Sequence, residues 1–433
     1  MYAKRRQRLL SRLGDGLLIL PTASHTIRNG DVHYSFRPGS DLHYLTGFGE
    51  PETVLVAWRT AARRHHSVLF VPPRDKAREI WDGPRAGVRG AIKRFGVDEA
   101  FPVAEIWKRL SAMMEEHDCV FHTMFADPEF DAKLTNVFAA VAAKQRRRNG
   151  PAHPIIVDPR PALADMRLIK DADEIANLEQ AACISMGGHL RAMAEARPGM
   201  REYEVQALLE SEFRRRGSRR NGYDSIVASG SNACILHYND NDRKIRKGEL
   251  LLIDAGAEFE QYTADITRTF PVSGVFTDAQ RAIYKAVLAA QKAGIRTVKP
   301  GTRWNAPHLA CLRVLTRELL KIGLLRGDAK KLLKNGACRK WFMHGTSHWL
   351  GTDVHDVGVY EDPDGKPTRF RAGMVLTVEP GLYFDRNDKS VPEDFRGIGV
   401  RIEDDILVTR SGHRDLTAAV PKEIKDVEAA CPR

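Results

Sequence analysis

The sequence predicts two domains, a smaller α/β domain over residues 1–165 and a larger α+β domain over residues 166–433. Three observations carry this prediction. The chain has 433 residues, enough for two or three domains of roughly 150 residues each. Short apolar runs alternate with turn residues in the first third, whereas long helical patterns follow residue 170 and strands return from Glu249. Between the two lies a stretch over 149–165 with Asn149, Gly150, Pro151, Pro154, Pro159 and Pro161, which no continuous helix tolerates and which reads as a linker.

Taken in order, Met1 to Gly14 carries Lys4, Arg5, Arg6, Arg8 and Arg12 with no acid, and predicts the basic face of a first helix rather than a transit peptide. Leu17 to Leu20 reads as a buried strand ended by Pro21. Val54–Ala57 and Val68–Val71 read as further strands, the second stopped by Pro72-Pro73. Ile106–Glu116 reads as a helix. Asp171 with Glu174 three residues on is a capping pattern, so a helix runs from about Ala172 to Ala196 and stops at Pro198-Gly199. A second runs from about Glu202 to Arg216. Helices near 278–298 and 305–322 interrupt the later strands.

Composition narrows the function classes. Hydrophobic residues are 43% and charged residues 28%, as in a soluble globular protein with its own core. Disordered chains, collagen-like fibres and small disulfide scaffolds are excluded. The formal charge of +11 raises nucleic acid as a partner. The basic clusters are Arg214, Arg215, Arg216, Arg219 and Arg220, and Arg146, Arg147 and Arg148. Neither has interleaved aromatics, and the first ends a helix, where cations are favoured. Solvated helix ends, and no nucleic-acid partner, are expected. The six cysteines form no C-x-x-C pair, as for reduced thiols in a cytoplasmic protein. No apolar stretch reaches the ~18 residues of a membrane span, so no membrane is expected either.

The chemistry sits in the second domain. Leu250–Ile253 is a buried-strand pattern that ends in Asp254, and a buried carboxylate is costly unless paired or bound to a metal. Asp265 opens a second, alternating run, Asp265–Phe270. Read as a hairpin that turns between Phe259 and Glu260, the two segments make Asp254 and Asp265 direct cross-strand partners on one face. Like charges so placed destabilise a sheet unless a cation lies between them. The alternative is a shifted register that leaves both as surface acids. Three more segments add donors: His344 and His348 with His355 shortly after, Val375–Val378 ending in Glu379, and Gly399–Val408 with Arg401 and Glu403 on one face.

The order Asp254, Asp265, His348, Glu379, Glu403 resembles the five-ligand set of the pita-bread metallopeptidases, which include methionine aminopeptidases, prolidases and aminopeptidase P. The words around them, Ile253-Asp254-Ala255-Gly256, Asp265-Ile266-Thr267-Arg268-Thr269-Phe270-Pro271, His344-Gly345-Thr346-Ser347-His348-Trp349, Thr377-Val378-Glu379-Pro380-Gly381 and Gly399-Val400-Arg401-Ile402-Glu403-Asp404-Asp405, are similar to those of aminopeptidase P, the Xaa-Pro aminopeptidase. In the first third, Arg37-Pro38-Gly39-Ser40-Asp41, Tyr44-Leu45-Thr46-Gly47-Phe48 and Glu79-Ile80-Trp81-Asp82-Gly83 resemble that group's non-catalytic domain. The resemblance implies a pita-bread catalytic domain behind a creatinase/prolidase-type N-terminal domain that restricts substrates and makes oligomer contacts, in a dimer or tetramer.

It also implies roles. Asp265 and Glu403 would bridge two metal ions, with Asp254 on one and His348 and Glu379 on the other. Oxygen-rich donors suit Mn²⁺, with Zn²⁺ or Co²⁺ possible, and two divalent ions balance four carboxylates. A bridging hydroxide would attack the first peptide bond of peptides with proline second. His237 and His355 would stabilise the substrate, Glu379 would shuttle the proton, and Arg401 would orient carboxylates. His344, Tyr223, Tyr360 and Trp81 would line the substrate pocket. A prolidase, or a non-catalytic pita-bread binding protein, are the competing readings.

Overall fold

A computed structural model describes residues 1–60, 64–147 and 155–432. Arg148, and residues 149–154 of the expected linker, lie outside the described residues. The chain divides into two compact units, Met1–Met166 and Arg167–Arg433.

The first unit is built on a six-stranded sheet ordered Glu99–Pro102, His65–Val71, Val54–Arg59, Leu17–Pro21, Cys119–Phe121, Ile155–Val157. Its strands read as continuous apolar runs because both faces are covered. Period-two alternation sorts them. Leu18, Leu20, Leu55 and Leu69 join Leu9, Leu42 and Phe48 on one side, while Leu17, Ile19, Val56 and Val68 join Ile106, Leu110 and Leu134 on the other.

Two expectations are corrected in this unit. The first helix, Tyr2–Leu13, is not a uniformly solvated basic face. Arg5 and Arg6 are buried. The Arg5 guanidinium lies 4.2 Å from the Tyr44 ring centroid, and Arg6 donates to the Leu45 carbonyl at 3.0 Å. Two arginines are tolerated inside because the last turn of the following helix, Ser40–Thr46, offers carbonyls and a ring face. The stretch expected as linker contains an edge strand, Ile155–Val157, and a helix, Arg160–Leu168. Pro161 sits in the first turn of that helix, where proline removes no needed donor.

The second unit places its strands in small antiparallel sheets flanked by long helices. One sheet orders Ile226–Ser229, Leu250–Asp254 and Thr267–Pro271, and another Val375–Val378, Asp404–Val408 and His413–Asp415. The helix Ala172–Glu195 begins with the expected capping box of Asp171 and Glu174. It meets the helix Glu202–Arg215 closely at a glycine pair: a Cβ on Gly188 would lie 2.5 Å from the Phe213 ring. The helices Asp278–Ile295 and Ala306–Ile322 complete the core. Arg215 and Arg216 at the second helix end pair with Glu212 at 2.7 and 2.6 Å. No helix among the described residues is long and apolar enough to cross a membrane.

The acid-bearing hairpin exists, but its register differs from expectation. The turn is Glu260-Gln261, with φ of 47° and 70°. A two-residue hairpin turn of this kind needs positive φ at both central residues. With no Gly or Asn there, the sequence carries no turn signal. The pairing is therefore Asp254 opposite Thr267 and Phe259 opposite Tyr262. Asp265 sits two residues along, on the same face as Asp254 but diagonal to it. Gly256 permits this, since a Cβ there would fall 1.7 Å from the Ala264 carbonyl.

His189, in the middle of the Ala172–Glu195 helix, supports the end of the Asp254 strand. It is 1% exposed, and its Nε2 lies 2.9 Å from the Ala255 carbonyl, to which it donates. Burial pushes its pKa down to about 4. An unfolded chain binds a proton at a histidine near pH ~6.5, so between about 4 and ~6.5 the unfolded state binds more protons. Stability contributed by neutral His189 is complete above that window and is lost as pH falls through it. His189→Gln in chelator-treated protein should flatten the fall of melting temperature between pH 6.5 and 4; an undiminished slope would refute this role.

Candidate metal centre

The donors project into a cavity of about 460 Å³ from strand ends and from the short segments between strands. Asp254 ends its strand, and Glu379 directly follows Val375–Val378. Glu403 lies in the gap between Gly399–Arg401 and Asp404–Val408, so the expected single strand is two strands in different sheets. Backbone bonds join these ends. Glu403 N donates to the Thr267 carbonyl at 3.1 Å, Glu379 N to Thr346 at 2.9 Å, and Thr377 N to His348 at 3.0 Å.

The cavity gathers Asp254, Asp265, His348, Glu379 and Glu403, the five expected ligands. Donor atoms of Asp265, His348 and Glu403 lie within 4.8 Å of one another. The two oxygens of Asp265 face different partners: Oδ1 lies 2.5 Å from the Tyr223 hydroxyl, and Oδ2 lies 3.2 Å from His348 Nε2. His348 Nε2 is also 3.9 Å from Glu379 Oε1. Arg401 grips Asp254 Oδ2 at 2.6 Å, and the Tyr223 hydroxyl, with one proton between two carboxylates, lies 2.7 Å from Asp254 Oδ1.

Electrostatics expose the strain in this donor set. Burial pushes Asp254 up, Glu403 well up, and Glu379 up to about 7. Burial would also raise Asp265, but the hydrogen bond and charge of His348 hold it below the usual carboxylate range. Reciprocally, burial lowers His348, yet Asp265 lifts it to about 9. Three carboxyls reluctant to ionise, and an imidazole recruited as a cation, describe a site short of positive charge. Divalent cations would supply it, and carboxylate oxygens with one imidazole are the donors such ions take. The residues fit a metal centre.

The other expected residues divide. His237 and His355 lie at the exposed mouth of the cavity, and the His355 ring stands 4.4 Å from that of His348. His344 and Arg401 line the wall, both bonded to the Tyr383 hydroxyl, at 2.8 and 3.1 Å. Tyr223 lies at the centre rather than the rim, bridging two aspartates. Tyr360 does not line the cavity; it stacks at 15° on Trp349 in an aromatic cluster with Trp304. Trp81 is 87% exposed on the first unit.

Sequence reasoning missed several supporting residues. Thr267 donates to Glu403 Oε2 at 2.6 Å and accepts from Arg401 Nε at 3.1 Å. Its place two residues after Asp265 on the same face was the available signal. Buried Glu202 accepts from Ser229 N, the Tyr238 hydroxyl and Arg243 N at 2.6, 2.7 and 2.9 Å, and so tethers the loop that carries His237. Asp356, beside His355, accepts from Arg167 at 2.6 Å and Lys170 at 3.0 Å, all three buried. Nothing local in the sequence marks either anchor.

Comparison with known proteins agrees with this geometry. Residues 176–410 match Metallopeptidase family M24, and residues 2–121 match the aminopeptidase P N-terminal domain. The chain belongs to metallopeptidase family M24, with the pita-bread α+β catalytic domain and a separate N-terminal domain; it is a metal-dependent aminopeptidase. It is 43% identical to the Xaa-Pro aminopeptidase of Escherichia coli (strain K12) over 99% of this chain and 96% of that one. The Pseudomonas aeruginosa aminopeptidase PepP superposes with a TM-score of 0.96 at 44% identity, covering 99% of this chain and 97% of that one. A zinc-substituted Escherichia coli aminopeptidase P in complex with product gives 0.95 at 42% identity, with the same coverage.

Two outcomes are expected. Asp265→Ala should lose bound metal and turnover together, measured by elemental analysis and peptide hydrolysis; full metal content in the variant would overturn the site. Asp356→Asn should destabilise the second unit by about 3 kcal/mol in denaturant melts, because it leaves the buried Lys170 cation without its carboxylate, while Arg167 keeps Asp353 at 2.7 Å.

Proposed function

We propose that this aminopeptidase hydrolyses the first peptide bond of peptides whose second residue is proline, with two divalent ions held by Asp254, Asp265, His348, Glu379 and Glu403. The convergence of four carboxylates and one imidazole in one cavity carries the reading. The name of the Escherichia coli relative, Xaa-Pro aminopeptidase, supports the proline preference. Bound there, divalent ions acidify water toward a pKa of about 7 and polarise a carbonyl.

The chain's own residues do the rest. Asp265, whose two oxygens meet different partners, and Glu403 would help hold the ions. Arg401 and Tyr223 fix the Asp254 carboxylate so that it need not reorganise on binding. His237 and His355, at the mouth, donate to the carbonyl oxygen as it gains charge. Glu379 Oε2, 3.7 Å from His344 Nδ1, carries the proton toward the leaving amine. His344 and Tyr223 shape the pocket for the first two residues, and Trp81 is proposed as an outlying substrate contact.

Mn²⁺ is the proposed ion, because oxygen donors outnumber nitrogen, with Zn²⁺ or Co²⁺ as substitutes. The N-terminal domain is proposed to restrict the substrate and to join copies of the chain in a dimer or tetramer. Six unpaired cysteines support a reducing compartment, the cytoplasm.

The test strips metal with a chelator and restores Mn²⁺, Co²⁺ or Zn²⁺ singly, against an Xaa-Pro dipeptide and a longer peptide beginning Xaa-Pro-Pro. Cleavage of the longer peptide, greatest with Mn²⁺, is expected. Cleavage of the dipeptide alone would make the enzyme a prolidase, and no cleavage with any ion would refute the reading.

A further inference from the structure

A second cavity of about 320 Å³ adjoins the metal centre, and His344, Gly345 and Ser347 line both. Its further walls are apolar at Trp304, Phe342 and Met343 and polar at Asn305, His308 and Arg339. The two cavities differ in charge. Asp254, Asp265, Glu379 and Glu403 line the first, whereas no described carboxylate lines the second and a guanidinium does. Arg339 is exposed and has no ion-pair partner among the described residues.

The shared wall is both open and under-satisfied. Gly345 is exposed, and a Cβ built on it would meet nothing within 4 Å. No side chain closes the space there. The Ser347 hydroxyl is buried without a hydrogen-bond partner among the described residues, although a buried polar group ordinarily has one. The segment itself is held firmly. His308 Nδ1 lies 2.8 Å from the Thr346 hydroxyl, and the Thr346 carbonyl accepts from Glu379 N at 2.9 Å.

We infer that this second cavity is the subsite for the leaving peptide beyond its proline, and that Arg339 receives that peptide's C-terminal carboxylate. A short peptide is a zwitterion. Its ammonium end belongs among the carboxylates and ions of the first cavity, and its carboxylate end beside the unpaired cation of the second. Trp304, Phe342 and Met343 offer apolar contact to the residue between, and Ser347 offers its free hydroxyl to the peptide backbone. The guanidinium fork suits a carboxylate in two-bond geometry. The inference rests on the aminopeptidase reading, and it sets a preference for peptide length that the metal ligands alone do not.

The experiment uses the full manganese-loaded chain with two substrates, Ala-Pro-Ala-Ala and its C-terminal amide. The free acid should be favoured by about tenfold in kcat/KM, the difference lying in KM. Arg339→Met should abolish the preference and Arg339→Lys should keep part of it, with metal content and melting temperature of both variants measured alongside. Equal rates for acid and amide in the unsubstituted enzyme, or a preference that survives in Arg339→Met, would overturn the subsite. If the unsubstituted enzyme cleaves neither peptide, the aminopeptidase reading falls and the subsite with it.

Discussion

Four carboxylates share one buried cavity, and the repulsion among them constrains everything around it. Two unit charges about 4 Å apart interact by about 4 kcal/mol at an effective dielectric near 20. Four such groups cannot all ionise on the protein's own resources. Among the described residues lining the cavity, Arg401 is the guanidinium and His348 the imidazole drawn into ion pairing. Their combined charge is too small to balance the set, which is why burial pushes Asp254, Glu379 and Glu403 upward. A fold that maintains this arrangement holds part of its stability in reserve for cations.

Holding the donors against that repulsion requires rigid ends. The segments that carry them are joined by backbone bonds at Thr267–Glu403 and Thr346–Glu379. Behind Glu403, the fully buried Arg268 donates to the Glu403 carbonyl at 2.5 Å and to Asp404 Oδ1 at 2.7 Å. The two mouth histidines need a different solution, because loops carry them. Each follows or precedes a clamped neighbour: Tyr238 beside His237 reaches Glu202, and Asp356 beside His355 reaches Arg167 and Lys170. The exposed side chain stays free to meet substrate while the next residue fixes the loop.

The ligands were legible because each is an anomaly in its own segment. An acid that ends an apolar strand, as at Asp254 and Glu379, conflicts with burial and asks for a partner. The long helices were legible through their caps, Asp171 with Glu174 above all. What stayed hidden depends on distant pairing. Glu202 and Asp356 look like ordinary surface acids until the fold brings their donors from far along the chain. Arg5 and Arg6 look solvated until Tyr44 and Leu45 cover them. Tyr360, adjacent to the histidine segment in sequence, turns instead into the Trp304 and Trp349 cluster.

The hairpin register shows how such a hidden feature bears on the chemistry. Directly opposed residues have Cβ atoms about 4.5–5.5 Å apart, and diagonal ones about 7–8 Å. Opposed aspartates would press their carboxylates together with little room for anything between. The turn at Glu260-Gln261 makes Asp254 and Asp265 diagonal instead. The Tyr223 hydroxyl reaches both from one side, at 2.7 and 2.5 Å, while Arg401 holds the far oxygen of Asp254 and His348 the far oxygen of Asp265. Separation turns two repelling acids into the two sides of a site, with space between them for cations. That space exists because two residues with no turn signature adopt positive φ, and because Gly256 lets the Ala264 carbonyl close against it.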